Sequence, residues 1–228
     1  MTDAETSSAG AGAAARPFPL FDLQGLLQAK LESIGAYPRR YERGERPRDR
    51  IWASELGSCP RAAWHGWRHP AAHDEDFSQH RGALGHAVEG VLADALAPIL
   101  VAREVSFTNH RASGRADFIV RIDGKQVPVE LKSTYGFDLA LNAPYPSHAL
   151  QLRFYVEQMD APYGLLVYYN LSNYGGKSGH WQALRVPRDD AAVDAAVEAL
   201  WAAVHAEAEP ACRAPGDCFD CSRLEGRT

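Results

Sequence analysis

The sequence predicts an α/β fold: a mixed central β-sheet flanked by helices. Three observations carry this: a hairpin pattern around Asp123-Gly124, two further strand-like runs at 163–170 and 180–186, and helical patterns before, between and after them. The order helix, hairpin, helix, strand, strand, helix has no internal repeat and calls for both parallel and antiparallel pairing in one sheet.

The chain has 228 residues, 46% of them hydrophobic, enough for one domain with a substantial core. No run approaches the roughly 20 apolar residues of a membrane helix. The start, "MTDAETSSAGAGAAAR", lacks the basic and apolar regions of a signal peptide and reads as a disordered lead-in over 1–18, with a single domain over 19–228. A cytoplasmic protein without membrane partners is the expectation. The net charge of −5, from 24 basic and 29 acidic residues, argues against coating nucleic acid by bulk charge. A local basic groove stays open: "RRYERGERPRDR" (39–50) holds six arginines and three acids, and reads equally as a solvated linker.

Residues 21–36 have helical spacing of apolar side chains. In 54–67, "SELGSCPRAAWHGW", Ser54 reads as an N-cap and Pro60 as a turn breaker or starter. The polar, histidine-rich stretch 64–80 reads as a loop whose irregularly spaced histidines are solvated. "GALGHAVEGVLADALAPIL" (82–100) predicts an amphipathic helix with Leu84, Val88, Val91, Leu92 and Ala95 on its apolar stripe and His86 off it.

The hairpin spans about 115–133. Asp123-Gly124 suits a two-residue type I′ turn, in which both central residues need positive φ. Counting back from it pairs Ile122 with Lys125, Val120 with Val127, Phe118 with Val129 and Ala116 with Leu131 on a core face. The opposite face pairs Arg121 with Gln126, Ile119 with Pro128, and Asp117 with Glu130. Opposed carboxylates repel, and a hard cation between them converts repulsion into coordination. Lys132 shares their face by the strand period of two. Pro128 cannot donate to a ladder, so a bulge is expected there, able to shift the 117–130 register by one. Beyond the hairpin, 147–159 predicts a helix with Gln151 and Tyr155 on one face, and 189–209 a long alanine-rich helix.

Asp117, the Glu130-Leu131-Lys132 run, and a following helix with Gln151 and Tyr155 resemble the PD-(D/E)XK nuclease superfamily with its restriction-endonuclease-like core, and more narrowly its RecB-type exonuclease branch. That branch places a histidine in a Gly-x-His-like stretch before the aspartate, matched by Gly85-His86, and a Gln-x-x-x-Tyr helix after the lysine, matched by "QLRFY". A lone Glu-x-Lys carries no weight; four elements in order do. The resemblance covers roughly 50–223.

The cysteines extend it. Cys59 stands alone in "SELGSCPR", while Cys212, Cys218 and Cys221 crowd the C-terminal tail. Cytosolic chains rarely use disulfides, so the set points to a metal or a cluster. The layout is similar to CRISPR-associated adaptation exonucleases and AddB-type helicase-nucleases, where four thiolates hold a [4Fe–4S] cluster joining the chain's ends. Those families use Cys-x2-Cys-x5-Cys in the tail, whereas this chain has Cys-x5-Cys-x2-Cys, which leaves a structural Cys₄ zinc site open.

The resemblance implies a DNA exonuclease acting on single-stranded ends, in CRISPR adaptation, phage or repair DNA processing, with DNA and DNA-processing or CRISPR adaptation proteins as partners. His86, Asp117, Glu130 and the Leu131 carbonyl would ligate Mg²⁺ or Mn²⁺. Lys132 would act on the attacking water, and Gln151 and Tyr155 would support the ligands or position DNA; for Tyr155 a plain core role is equally open. The alternatives are an inactive DNA-binding or assembly subunit of the same fold, which the intact Asp117, Glu130 and Lys132 disfavour, and a site-specific endonuclease, which the cysteine layout disfavours.

Overall fold

The computed structural model describes residues 49–68, 75–134, 143–170, 181–215 and 218–221. The lead-in over 1–18, the helix at 21–36 and most of the basic stretch lie outside the described residues. Two strands meet at Asp123 and Gly124, whose φ values of 50° and 76° are the positive pair that the type I′ turn demands. These are β3 (Ala112–Ile122) and β4 (Lys125–Thr134). The other strands are β1 (Ile51–Trp52), β2 (Leu100–Thr108), β5 (Tyr163–Asn170) and β6 (Trp181–Pro187). The helices are α1 (Pro60–Arg68), α2 (Glu75–Leu96), α3 (Pro146–Gln158) and α4 (Asp190–His205), with a 3₁₀ turn at Ala53–Glu55.

The six strands form one mixed sheet in the order β1-β3-β4-β5-β6, with β2 also on β3. β2–β3, β3–β4 and β5–β6 are antiparallel; β1–β3 and β4–β5 are parallel. β2 runs along one edge of β3 from Ser113 to Val120, so β1 and β4 share the other edge. β1 pairs there at Ala112 and Ser113, and β4 only from Phe118 onward. The stretch Gly114–Asp117 lies between the two ladders.

The predicted register holds from Ile122–Lys125 to Phe118–Val129 and then stops. The expected pairs Asp117–Glu130 and Ala116–Leu131 do not form, because the strands part where the two carboxylates would be pressed together. No bulge occurs at Pro128, which faces Ile119 in register. By the alternation of the ladder its missing N–H points away from β3, and the parallel ladder to β5 begins only at Val129.

Across the central strands both faces of the sheet are buried, so the face that carries the carboxylates is not an open polar one. On one side Ile119, Leu166 and Tyr168 pack on Leu152, Phe154, Tyr155 and Val156 of α3, with Val193, Val197, Leu200 and Val204 of α4 behind. On the other, Phe118, Val120, Val127, Val129 and Val167 pack on Leu92, Ala93 and Leu96 of α2. In α2 the buried stripe is turned from the expected one: Ala87, Val88, Leu92, Ala93 and Leu96 are buried, whereas Ala95 is exposed.

Three local expectations are corrected. The stretch 64–80 is not a loop throughout, since α1 reaches Arg68 and α2 begins at Glu75; Trp67 packs edge-on against Trp201 of α4, a burial that outweighs polar composition. Ser54 does not cap α1; it sits in the 3₁₀ turn, and Pro60 takes the first helical position, where its missing N–H is harmless. α2 ends at Leu96, before Ala97-Pro98, and Leu100 opens β2 instead.

Gly57 crosses the start of α3 so closely that a Cβ there would lie 2.3 Å from Ser147 Cα. The backbone of Ser147 cannot rotate away as a side chain can, so Gly57→Ala is expected to cost about 1–3 kcal/mol. Thermal denaturation of the full chain should show Tm falling by several degrees.

Candidate active site and metal centre

The parting of β3 and β4 creates the site. Where the ladder ends, the Leu131 N–H needs an acceptor, and Asp117 Oδ2 takes it at 2.7 Å. This places the Asp117 carboxylate at the peptide that joins Glu130 to Leu131. Glu130 is 3% exposed. Its Oε1 accepts from Lys132 Nζ and from Gln151 Nε2, both at 2.7 Å. Lys132 Nζ also donates to Gln151 Oε1 at 2.8 Å, closing a triangle between β4 and α3. Gln151 Nε2 reaches the Tyr155 hydroxyl at 3.0 Å, one helical turn on. Tyr155 can lie there because residue 114 is glycine: a Cβ would sit 2.8 Å from its ring and 2.6 Å from Ala53 Cβ.

Five predicted residues, Asp117, Glu130, Leu131, Lys132 and Gln151, thus converge, with Tyr155 behind them. Burial pushes the Asp117 carboxyl up to about 8, and the Glu130 charge adds to it. Asp117 keeps some exposure, so solvent softens that push. Burial raises Glu130 as well, opposed by the Lys132 charge and the bonds from Lys132 and Gln151. Tyr155 is raised by burial and by Glu130, so its phenol stays protonated.

Among the described residues, Glu130 Oε2 is buried with no hydrogen-bond partner. Such an oxygen is costly unless something meets it, and Mg²⁺ or Mn²⁺ takes carboxylate and carbonyl oxygens. Asp117, Glu130 and the Leu131 carbonyl fit a hard divalent cation. His86 lies in α2, its side chain outside the described ones. The preceding residue, Gly85, faces β4 closely, a Cβ there lying 3.7 Å from Ser133 Oγ, so this turn of α2 passes over the strand beside Lys132.

Two neighbours of the site escape a reading by motif. Glu89, one turn beyond His86, adds its charge to those pushing Asp117 and Glu130 up, and pairs with Arg103 at 3.0 Å. His148 shares the Gln151–Tyr155 face of α3, three residues before Gln151; its Nδ1 lies 3.0 Å from the Tyr168 hydroxyl. Burial, followed by the Lys132 charge, brings His148 down to about 4, so its ring is neutral. Helical spacing of 148, 151 and 155 was the signal available for it.

The four cysteines converge at a second place. The sulfurs of Cys59, Cys212, Cys218 and Cys221 all lie within 4.8 Å of one another. Cys221 is 3.5 Å and Cys212 3.8 Å from Cys59. Cys59 caps α1, its carbonyl accepting from Ala63 N–H at 3.0 Å, and its own N–H donates to Asp220 Oδ2 at 2.8 Å. Burial pushes the Cys59 thiol up, but N–H groups of Arg213, Ala62 and Arg61 outweigh it and bring it down to about 6, as expected for sulfur at a helix N-terminus. The tail is led there by α1: Trp64 Nε1 and Arg68 donate to the last carbonyls of α4, at Val204 and Ala206. Arg61, and His65 from the stretch whose histidines were read as solvated, both bind Glu209.

No protein-family model and no curated protein sequence matches the chain. Among solved structures, SSO0001 superimposes with a TM-score of 0.53 at 20% identity, over 82% of this chain and 97% of that one. A phage-related exonuclease from Haemophilus somnus 129PT gives a TM-score of 0.47 at 10% identity, over 78% of this chain and 96% of its own. The alkaline exonuclease LHK-Exo of Laribacter hongkongensis gives 0.49 at 16%, over 71% and 90%. The first of these likenesses speaks to the fold, a mixed sheet flanked by helices.

The Asp117 shift carries a sign. In the unfolded chain an aspartate releases its proton near pH 4, whereas folded Asp117 holds it toward about 8. Between these values the unfolded chain binds fewer protons, so the metal-free protein should lose stability as pH rises through that window. Asp117→Asn should flatten the slope. Because ligation requires the carboxylates unprotonated, the Tm gain from added Mn²⁺ should grow over the same interval. Thermal melts in chelator and in Mn²⁺ check both, and a metal-free protein that grows more stable across the window contradicts the account.

Proposed function

We propose that the protein is a divalent-metal-dependent DNA nuclease that hydrolyses phosphodiester bonds. The observation that carries this reading is the buried carboxylate of Glu130, tied through Oε1 to Lys132 and Gln151 and left at Oε2 without a partner among the described residues. Asp117, Glu130 and the Leu131 carbonyl, joined by His86, would hold Mg²⁺ or Mn²⁺. When bound, the cation supplies Lewis acidity toward the phosphate and lowers the pKa of water at the site.

The chain's own residues do the rest. Lys132 and Gln151 fix Oε1 and so orient Oε2. The Leu131 N–H is held by Asp117, and in an extended strand a residue's N–H and C=O leave on the same edge, so the Leu131 carbonyl shares the Asp117 side. Lys132, 22% exposed at its side chain, is the cation that can meet a phosphate and offset negative charge developing on it. Tyr155 keeps Gln151 in place through its hydroxyl. Action at DNA ends, single-strand preference and a setting in CRISPR adaptation, phage or repair processing are the finer parts of the proposal, and rest on the ordered resemblance from His86 to Tyr155.

We further propose that Cys59, Cys212, Cys218 and Cys221 hold one structural metal centre. A [4Fe–4S] cluster is what the resemblance implies. The sulfur spacing favours a single tetrahedral ion: zinc with bonds of about 2.3 Å sets its sulfurs about 3.8 Å apart, whereas a four-iron cube spreads its thiolates over separate corners.

Purified protein incubated with end-labelled single- and double-stranded DNA, with and without Mn²⁺, tests the activity. Asp117→Ala, Glu130→Ala and Lys132→Ala should each lower cleavage about 10²-fold or more while the fold survives. Near wild-type cutting by Glu130→Ala would end the assignment. Metal analysis of anaerobically purified protein tests the second centre. One equivalent of zinc in a colourless preparation supports the single ion, and brown, iron-bearing protein supports the cluster. Changing any one of the four cysteines to Ser should lower both metal content and Tm.

A further inference from the structure

Beside Lys132 stands an imidazole that the hydrolytic reading does not use. Lys132 and Tyr168 are direct partners in the parallel β4–β5 ladder, so their side chains rise from the same face of the sheet, the one that α3 covers. His148 of α3 meets Tyr168, its Nδ1 lying 3.0 Å from the hydroxyl. Three residues on, Gln151 of the same helix face accepts from Lys132 Nζ at 2.8 Å. Through Tyr168 on one side and Gln151 on the other, His148 is placed next to Lys132, close enough for the lysine charge to add to burial in keeping the ring neutral. The ring is also held by its neighbours: Tyr168 stands at 41° to it and Tyr145 at 85°, with centroids 5.6 and 5.4 Å away. His148 is half-buried, and its Nε2 has no hydrogen-bond partner among the described residues.

We propose that the Tyr168 hydroxyl donates to Nδ1 and that His148, its one N–H thereby kept on Nε2, donates it to a backbone phosphate of the DNA strand held at Lys132. A neutral imidazole carries a single N–H, and a proton received at one ring nitrogen sets that N–H on the other. The Tyr168 oxygen, already an acceptor from the Tyr145 N–H at 3.2 Å, meets in Nδ1 an acceptor for its own proton. Toward the strand, Lys132 and His148 then offer only donors, and phosphate oxygens only accept. Such a contact fixes the strand in register without reading its bases. The inference rests on the nuclease reading for the presence of the strand, and its test separates the two.

The full-length protein is titrated, in Ca²⁺, with a single-stranded DNA oligonucleotide in which one phosphate at a time becomes an uncharged methylphosphonate. Replacing the phosphate that His148 holds should weaken wild-type binding about tenfold. His148→Asn puts an amide at the Nδ1 position but cannot reach that of Nε2, so it should bind about tenfold more weakly and become indifferent to replacement there. Its salt dependence should match wild type, since no charge is lost. His148→Gln carries an N–H to the Nε2 position and should keep both affinity and sensitivity. Losses confined to the Gln variant assign His148 to bracing Tyr168 and overturn the contact. Equal losses in both variants, a shallower salt dependence in His148→Asn, or a replacement profile unchanged in His148→Asn overturn it too. A His148-dependent profile without cleavage in Mn²⁺ or Mg²⁺ upholds the contact and removes the nuclease reading, whereas cleavage in Mn²⁺ without such a profile does the reverse.

Discussion

Two carboxylates brought to one point, one of them sealed from water, are the constraint around which this molecule is arranged. A continuous antiparallel ladder would set Asp117 and Glu130 face to face; the ladder stops one pair short. The opening is built into the sheet, since β1 and β4 occupy the same edge of β3 and leave Gly114–Asp117 to neither. Each group around it answers a need created by the opening. Asp117 accepts the N–H that lost its strand partner, Lys132 and Gln151 satisfy one oxygen of Glu130, and Gly114 makes room for the tyrosine that steadies Gln151. Among the described residues, Oε2 of Glu130 stays unanswered. Burial of this kind raises the acid form of both groups, which is costly to keep unless a cation makes the charged form useful.

The parts that were readable in the sequence are those fixed by local chemistry. Asp123-Gly124 sets the turn, and with it five pairs of the hairpin register. "YGLLVYYN" is apolar up to Asn170 because β5 is covered on both faces, and its limits are those of the run itself. Tertiary circumstances were harder to see. β2 was hidden because Leu100 and Val101 continue the apolar rhythm of α2, although Pro98 marks the break. Its alternation is also disturbed where Glu104 takes a φ of 52°. The opening beyond Phe118–Val129 has no signature in either strand alone, since it comes from which neighbours share an edge. Glu89 and His148 look like surface polar residues until the elements that carry them are laid against the carboxylates and Lys132.

The cysteine centre belongs to the same scheme at a longer range. α1 is capped by Cys59 and, through Trp64 and Arg68, covers the otherwise bare carbonyls at the end of α4. One short helix therefore both presents a thiol and directs the tail that carries the other three. Gly57, just upstream, presses this segment onto α3, the helix that supplies Gln151 and Tyr155. The thiol centre and the carboxylate site are thereby coupled through shared packing.

The separation of Cys59 from Cys221 has a kinetic meaning. The two sulfurs meet across 162 positions of chain, with five of the six strands of the sheet between them. Contacts of that span form late, after hairpins and helices have paid the loop-closure entropy. An interaction missing from the folding transition state leaves the folding rate alone and slows unfolding. On the proposal of a metal centre, an ion joined to the four thiols would act on how long the protein stays folded and not on how fast it folds. A chain made when metal is scarce would reach the same sheet at the same speed and be lost sooner, so metal supply would govern lifetime and not foldability.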